Sequence, residues 1–266
     1  MRAVILAAGR GNRLGSLTAE RPKCLVELAG TSLLRRLLTA LDAAGVAEVS
    51  IVAGYRHDLI TRAAPECRII LNDRWATSSI AHSLHTAVRA GLLDTSDDTL
   101  IAYADIVVEP RVLAAIGDAS PSNVRMLVNT DWYRLWSGRM PDPLADAERL
   151  ILAPDGRVVA IGGRPLSLEQ VQGQYMGLLR LDARGASALD EFYRQALARF
   201  PAADQWDITA LLAAWIDTGE AVHTVAVHGG WLEIDTPDDL RYYERLHANG
   251  QLDALCTLDP PSPGEA

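Results

Sequence analysis

"LAAGRGNRLGSLTAERPKCLVELAG", residues 6–30, sets Gly9, Gly11 and Gly15, three arginines and Pro22-Lys23 directly behind the apolar run of residues 3–8. An uninterrupted apolar run of this length reads as a buried strand. A glycine-rich loop behind such a strand lets backbone N–H groups approach a bound anion, because no Cβ stands in the way. Gly9 and Gly11 offer that approach. Arg13 can make paired hydrogen bonds to phosphate oxygens and Lys23 adds a point charge, a combination suited to a triphosphate. The short "GRGNRLG" core equally suits a flexible turn with solvated arginines. It is neither a Walker A loop nor a GxGxxG run leading straight into a helix.

Outward from this loop, short apolar runs alternate with helical patterns: "SLLRRLLTALDAAG", "EVSIVAG", "CRIIL", "SSIAHSLHTAVRAG", "TLIAYAD", "RVLAAIG" and "VRMLVNT". This βα alternation predicts a single-domain, Rossmann-like α/β fold, a mostly parallel sheet with helices on both faces. Ligands in such sheets collect beyond the carboxyl ends of the strands, where the opening loop lies. From about residue 131 to 174 the pattern shifts to tryptophans, prolines and charges, with "RLILAPDGRVVAI" reading as a β-hairpin around Pro154-Asp155-Gly156. We take this as an insertion lining the acceptor side of a pocket. The strand "GQYMGLLRL", two helices, the strand "VHTVAV" and a helix from Pro237 follow. The domain is expected to span residues 1–256, with 257–266 a flexible tail.

The 266 residues are 49% hydrophobic and 22% charged, enough for a sizeable core. No apolar run approaches the ~18 residues of a membrane span, so a soluble, cytoplasmic protein is expected. A net charge of −9 without a basic block argues against nucleic acid or an anionic membrane as partner. Cys24, Cys67 and Cys256 are odd in number and widely spaced, suggesting reduced thiols and neither a disulfide framework nor a zinc site.

Asp105 closes the strand "TLIAYAD", and Asp235 stands in "WLEIDTPDDL" just before a helix, where a lone Asp also serves as a cap. Thr77, Ser78 and Ser79 lead into a helix and equally suit its first turn. His82 and His85, at i and i+3, lack neighbouring ligands at metal spacing and read as core or surface histidines.

The full pattern LAAGxGxRLxxLTxxxPKxLxxLxG resembles the signature of the nucleotidyltransferases that make nucleoside-diphosphate sugars and related CDP or CMP conjugates. The resemblance implies that backbone around Ala7, Ala8 and Gly9, with Gly11, meets the nucleotide. It places Arg13 on the departing phosphates and Lys23 near the reacting phosphorus, and implies a Mg²⁺ held by Asp105 and Asp235. Ser16 stands where most members have Pro, which implies a more mobile loop. The segment "LNDRWATSSIAHSL" is similar to one that contributes to the cytidine pocket in bacterial phosphocholine cytidylyltransferases and in enzymes acting on small phosphonates. Here Ser79 replaces a common Asn, and Thr77, Ser78 and Ser79 become nucleotide-binding candidates.

"DWYRLWSGRMPDPLADAERL" and "QGQYMGLLRL" resemble the acceptor-side segments of that subgroup. Trp132, Tyr133 and Trp136 suit either an aromatic wall for a quaternary ammonium or plain packing. Arg134 and Arg139 would instead favour an acceptor with extra negative charge, and Gln174 and Trp231 complete the acceptor candidates. The expected activity is Mg²⁺-dependent joining of CTP to a small phosphate or phosphonate, with release of pyrophosphate, and the reading allows a homodimer. The alternatives are a sugar-1-phosphate nucleotidyltransferase, or a catalytically silent nucleotide-binding module with no need for Arg13, Lys23, Asp105 and Asp235 together.

Overall fold

The computed structural model describes residues 1–94, 97–117 and 122–258. Seven strands form its main sheet: β1 (Arg2–Ala7), β2 (Glu48–Ala53), β3 (Arg68–Leu71), β4 (Thr99–Tyr103), β5 (Val124–Asn129), β6 (Gln174–Leu181) and β7 (His223–Val227). Their order across the sheet is β7-β5-β6-β4-β1-β2-β3. Neighbours run parallel except at β6, which is antiparallel to both β4 and β5. Ile5 lies between Ile51 and Ala102 in this register.

The helices are α1 (Leu33–Ala43), α2 (His57–Ala63), α3 (Ile80–Arg89), α4 (Pro110–Ala115), α5 (Trp132–Arg139), α6 (Ala183–Arg199), α7 (Ile208–Ile216) and α8 (Pro237–Ala248). The two-residue period of β1 divides the core between the faces of the sheet. Ala3, Ile5 and Ala7 join a cluster with α1, α4, α5 and α8, while Val4 and Leu6 join one with α3, α6 and α7. Helix α1 shows the cause locally. Ser32 caps it by accepting from the Arg35 N–H, and Leu33, Leu34, Leu37 and Leu41 recur on one face, all buried. Each such leucine contributes on the order of 2 kcal/mol on leaving water.

Between residues 131 and 174 lie α5 and the expected hairpin, whose strands Leu150–Leu152 and Val158–Ile161 pair antiparallel. The start of the tail differs from expectation. The Thr257 N–H donates to Glu109 Oε1 at 2.8 Å and the Leu258 carbonyl accepts from Arg36, so hydrogen bonds anchor these two residues. The remainder of the tail, 259–266, lies outside the described residues. No helix among the described residues is long and apolar enough to cross a membrane.

Candidate active site

The chain runs β1, β2, β3 to one edge of the sheet and then returns to place β4 on the other side of β1. The crevice beyond β1 and β4 is therefore a topological switch point, where open α/β sheets bind ligands. A cavity of about 350 Å³ opens there. Its walls are Ala7 and Ala8 from the end of β1, Gly9, Gly11, Asn12 and Arg13 from the loop, and Lys23 behind them.

Gly11 has a φ of +79°, a region that favours glycine, and a Cβ there would lie 2.6 Å from the Lys23 Cβ. The Lys23 stem thus rests on bare Gly11 backbone. Nothing lies within 4 Å of a Cβ built on Gly9, so its backbone is open to a ligand. Ser16 sits in a 3₁₀ turn, Asn12–Thr18, whose sharp bend is taken by Gly15 at φ 59°, ψ −121°.

Asp105 follows β4, and a short antiparallel ribbon brings Asp235 beside it. Glu233 pairs with Ile106, and the Ile234 N–H donates to the Asp105 carbonyl at 3.2 Å. The helix cap is Thr236, which forms a reciprocal capping box with Asp239, so Asp235 is left to face the cavity. Lys23 Nζ donates to Asp105 Oδ2 at 2.8 Å and to Asp235 Oδ1 at 2.6 Å. Arg13 reaches the same Asp235 oxygen at 2.7 Å from a largely exposed position. Burial opposes the charge of Lys23, but the two carboxylates outweigh it and hold its pKa above the usual lysine value. Asp105 Oδ1 is sealed from solvent and has no hydrogen-bond partner. Glu233 is pushed well above the carboxylate range by burial and then by Asp235 and Asp105.

On the opposite wall stand Asn72, Trp75, Ser78, Ser79 and Ser83. Asn72 is buried, donating to Ser83 Oγ at 3.1 Å and accepting from the Arg74 N–H. Ser79 holds the N-cap position of α3 yet makes no side-chain capping bond. Thr77 is exposed and turned back on the Arg74 carbonyl, away from the cavity. This wall is braced by a distant segment. The Asp204 carbonyl accepts from the Ser79 N–H, its carboxylate pairs with Arg74, and Gln205 Nε2 donates to the Thr77 carbonyl.

A second cavity of about 310 Å³ shares Arg13, Ile80, Tyr103, Asp105 and Asp235 with the first. Beyond these it is walled by Asp146, Glu148, Asp207, Glu233, Gln174 and Tyr175, with Trp136 and Thr209. Of the acceptor-side candidates Trp136 and Gln174 stand here, Gln174 locked by donating to the Glu148 carbonyl at 2.7 Å and accepting from its N–H at 3.0 Å. Trp132 is buried in the core, its indole donating to the Val171 carbonyl, and Trp231 is buried and stacked on Trp136 at 5.7 Å. Arg134 is exposed and pairs with Asp131. Arg139 is buried under the site: it donates to Asp239 at 2.9 Å, stands 3.9 Å from both Asp235 and Glu233, and covers the Trp136 ring at 4.8 Å. Its charge is spent holding the carboxylates behind the cavity in place. The carboxylates of "ADAERL" and the N-cap Asp207 were the sequence signal for this wall.

His85 bonds Asp190 at 2.6 Å and His82 stands 3.9 Å from Asp204, both away from these cavities. Among the described residues no group of three or more His, Cys, Asp or Glu is arranged to hold a metal. A Mg²⁺ at Asp105 and Asp235 would thus draw its remaining ligands from water and nucleotide phosphates, the usual arrangement for that ion.

Two substitutions report on this geometry. Gly177 lies at the bulge of β6 with φ +70°, and a Cβ there would meet Tyr103 Cγ at 2.7 Å. Gly177→Ala is expected to cost about 1–3 kcal/mol. The strain falls on Tyr103, which borders both cavities, and thermal melts measure it. Burial, then the Asp207 carboxylate, push Glu148 up to about 7. An acid with a raised folded-state pKa stabilises the fold least when ionised, so this contribution falls as pH rises from about 4.5 to about 7. Glu148→Gln should remove up to about 3 kcal/mol of that pH dependence. Melting both proteins at pH 5 and pH 8 measures it.

Residues 3–171 match the family described as MobA-like NTP transferase domain. A CTP:phosphoglutamine cytidylyltransferase of Campylobacter jejuni is 30% identical over 249 residues, covering 90% of this chain and 98% of the relative. A 2-aminoethylphosphonate cytidylyltransferase of Lancefieldella rimae is 31% identical over 60% of each chain. Two solved structures share the fold at 20% identity. The CTP:phosphocholine cytidylyltransferase of Streptococcus pneumoniae has a TM-score of 0.68 and covers 92% of this chain and 98% of its own. The inositol-1-phosphate CTP transferase from T. maritima has a TM-score of 0.73 and covers 96% and 97%. With a glycine loop, a lysine and two aspartates gathered at the switch point and these matches along nearly the whole length, the chain belongs to the MobA-like NTP transferases and is a nucleotidyltransferase.

Proposed function

We propose that the chain is a Mg²⁺-dependent cytidylyltransferase, a soluble cytoplasmic enzyme that joins CTP to a small phosphate or phosphonate and releases pyrophosphate. The observation that carries this reading is the meeting of two cavities at Arg13, Tyr103, Asp105 and Asp235, one beside the glycine loop and one beneath the hairpin insertion. A nucleotide in the first and an acceptor in the second would meet beside Lys23. The names of relatives such as those of C. jejuni and L. rimae support cytidine as the base and a small phosphorylated acceptor.

The acceptor's phosphate or phosphonate oxygen is already anionic near neutral pH, so its attack on the α-phosphorus needs no protein base. Holding both reactants in line supplies much of the rate. Lys23, protonated and anchored, neutralises charge on the transferring phosphoryl group, while Arg13 and the amides of the Gly9–Gly11 loop receive the leaving pyrophosphate. The orphaned Asp105 oxygen and the buried Asp235 carboxylate fit a Mg²⁺, which when bound supplies Lewis-acid neutralisation of phosphate oxygens.

The test is pyrophosphate release with Mg²⁺ across CTP, UTP, ATP, GTP and dTTP, each against phosphocholine, 2-aminoethylphosphonate, a carboxylated phosphonate and glucose 1-phosphate. Release confined to CTP with a non-sugar acceptor, and abolished by a chelator, is the expected result. Release with glucose 1-phosphate, or none with any pair, overturns it.

A further inference from the structure

We infer that Glu148 and Asp207 form a subsite for a primary ammonium group on the acceptor, so that the substrate is a small amine-bearing phosphate or phosphonate. This rests on the transfer reading above and goes beyond it by naming the chemistry at the acceptor's far end.

Carboxyl groups dominate the second cavity: Asp146, Glu148 and Asp207 line it beside Asp105 and Asp235, and its lining cation, Arg13, is engaged by Asp235. Thr209 Oγ1 lies 3.1 Å from Glu148 Oε1 and 2.9 Å from Asp207 Oδ1. A hydroxyl has one hydrogen, so it can serve only one of the two carboxylates at a time. The other is left facing a lone pair, which an N–H donor would relieve.

One further group points to a missing ligand. The Tyr175 phenol oxygen is sealed from water without a hydrogen-bond partner, and the carboxylates acting on it are those of Glu148 and Asp207. A primary ammonium carries three N–H donors in a compact head and could serve both carboxylates and the phenol together. A quaternary ammonium offers none and would leave these acceptors unpaired, at a cost in affinity. An anionic substituent would meet like charge. Gln174 holds the Glu148 backbone from both sides, which fixes the subsite relative to the end of β6.

The experiment compares 2-aminoethylphosphonate with propylphosphonate, in which a methyl replaces the ammonium, as acceptors with CTP and Mg²⁺. Calorimetric binding of each to the enzyme saturated with a non-reacting methylene analogue of CTP is read in parallel. The amine should be favoured by at least about 100-fold in kcat/KM. In Glu148→Gln that preference should fall below about 10-fold, through KM for the amine rather than through kcat. Asp207→Asn, which can still cap α7 through its side-chain oxygen, should act in the same direction. Equal use of the two acceptors by the wild type, no amine binding in the calorimeter, or an unchanged preference in both variants overturns the subsite and leaves cytidylyl transfer standing. Amine binding that Glu148→Gln weakens, without pyrophosphate release by the wild type, supports the subsite and overturns the transfer reading. A preference for phosphocholine over the primary amine overturns the N–H requirement.

Discussion

Asp235→Asn is expected to lower turnover on the order of 10³-fold while leaving the protein folded. Asp235 is 4% exposed, and one of its oxygens accepts from both Lys23 and Arg13. Asparagine keeps the shape and one acceptor oxygen, and Lys23 retains its 2.8 Å bond to Asp105, so packing and most of the local charge balance survive. What disappears is half of the carboxylate pair that would hold the metal, and with it neutralisation of charge on the phosphates. Circular dichroism and a melting curve check the fold, pyrophosphate release checks the rate, and Mn²⁺ titration checks the ion. Turnover within about tenfold of wild type would remove Asp235 from the metal site.

Lys23→Ala is expected to reduce kcat by about 10²-fold with a smaller change in the KM for CTP, because the proposed reaction puts the lysine where charge develops rather than where the base is held. A loss confined to KM would assign Lys23 to ground-state binding instead. The same substitution has a second consequence that separates structure from catalysis. Asp105 and Asp235 would face each other without the ammonium now 2.8 and 2.6 Å away, and leaving buried charge uncompensated costs about 3 kcal/mol. The variant's melting temperature should therefore rise more with added Mg²⁺ than that of the wild type. Lys23→Met, which keeps an apolar stem against Gly11, separates lost charge from lost packing.

The fold and the glycine-loop wall of the first cavity were legible because they are local. One contiguous run of residues 6–30 carries the glycines, Arg13 and Lys23, and β4 ends visibly at Asp105. Asp235 read equally as cap or ligand, and the structure removes the first of these roles because Thr236 holds the capping box. The acceptor side was less legible, for two reasons. Trp132, Trp136 and Trp231 carry the same letter and are all buried, and only the tertiary fold sets the edge of Trp136 at the cavity wall. Glu148 and Asp207 are far apart in the chain and meet only because Thr209, on the first turn of α7, reaches back between them. Arg139 illustrates the converse: a cation that looked available to a ligand is consumed by Asp239.

The segment from Asp204 to Thr209 has a consequence for modularity. Within six residues it clamps the loop beside α3 through Asp204 and Gln205, and it supplies Asp207 and Thr209 to the neighbouring cavity. The walls of the two cavities therefore share one short run of chain. A graft that imported a relative's acceptor wall along with this segment would also import a new brace for the opposite wall. Chimeras designed to exchange one preference alone must cut after Gln205, so that the clamp stays native while the carboxylate wall is replaced.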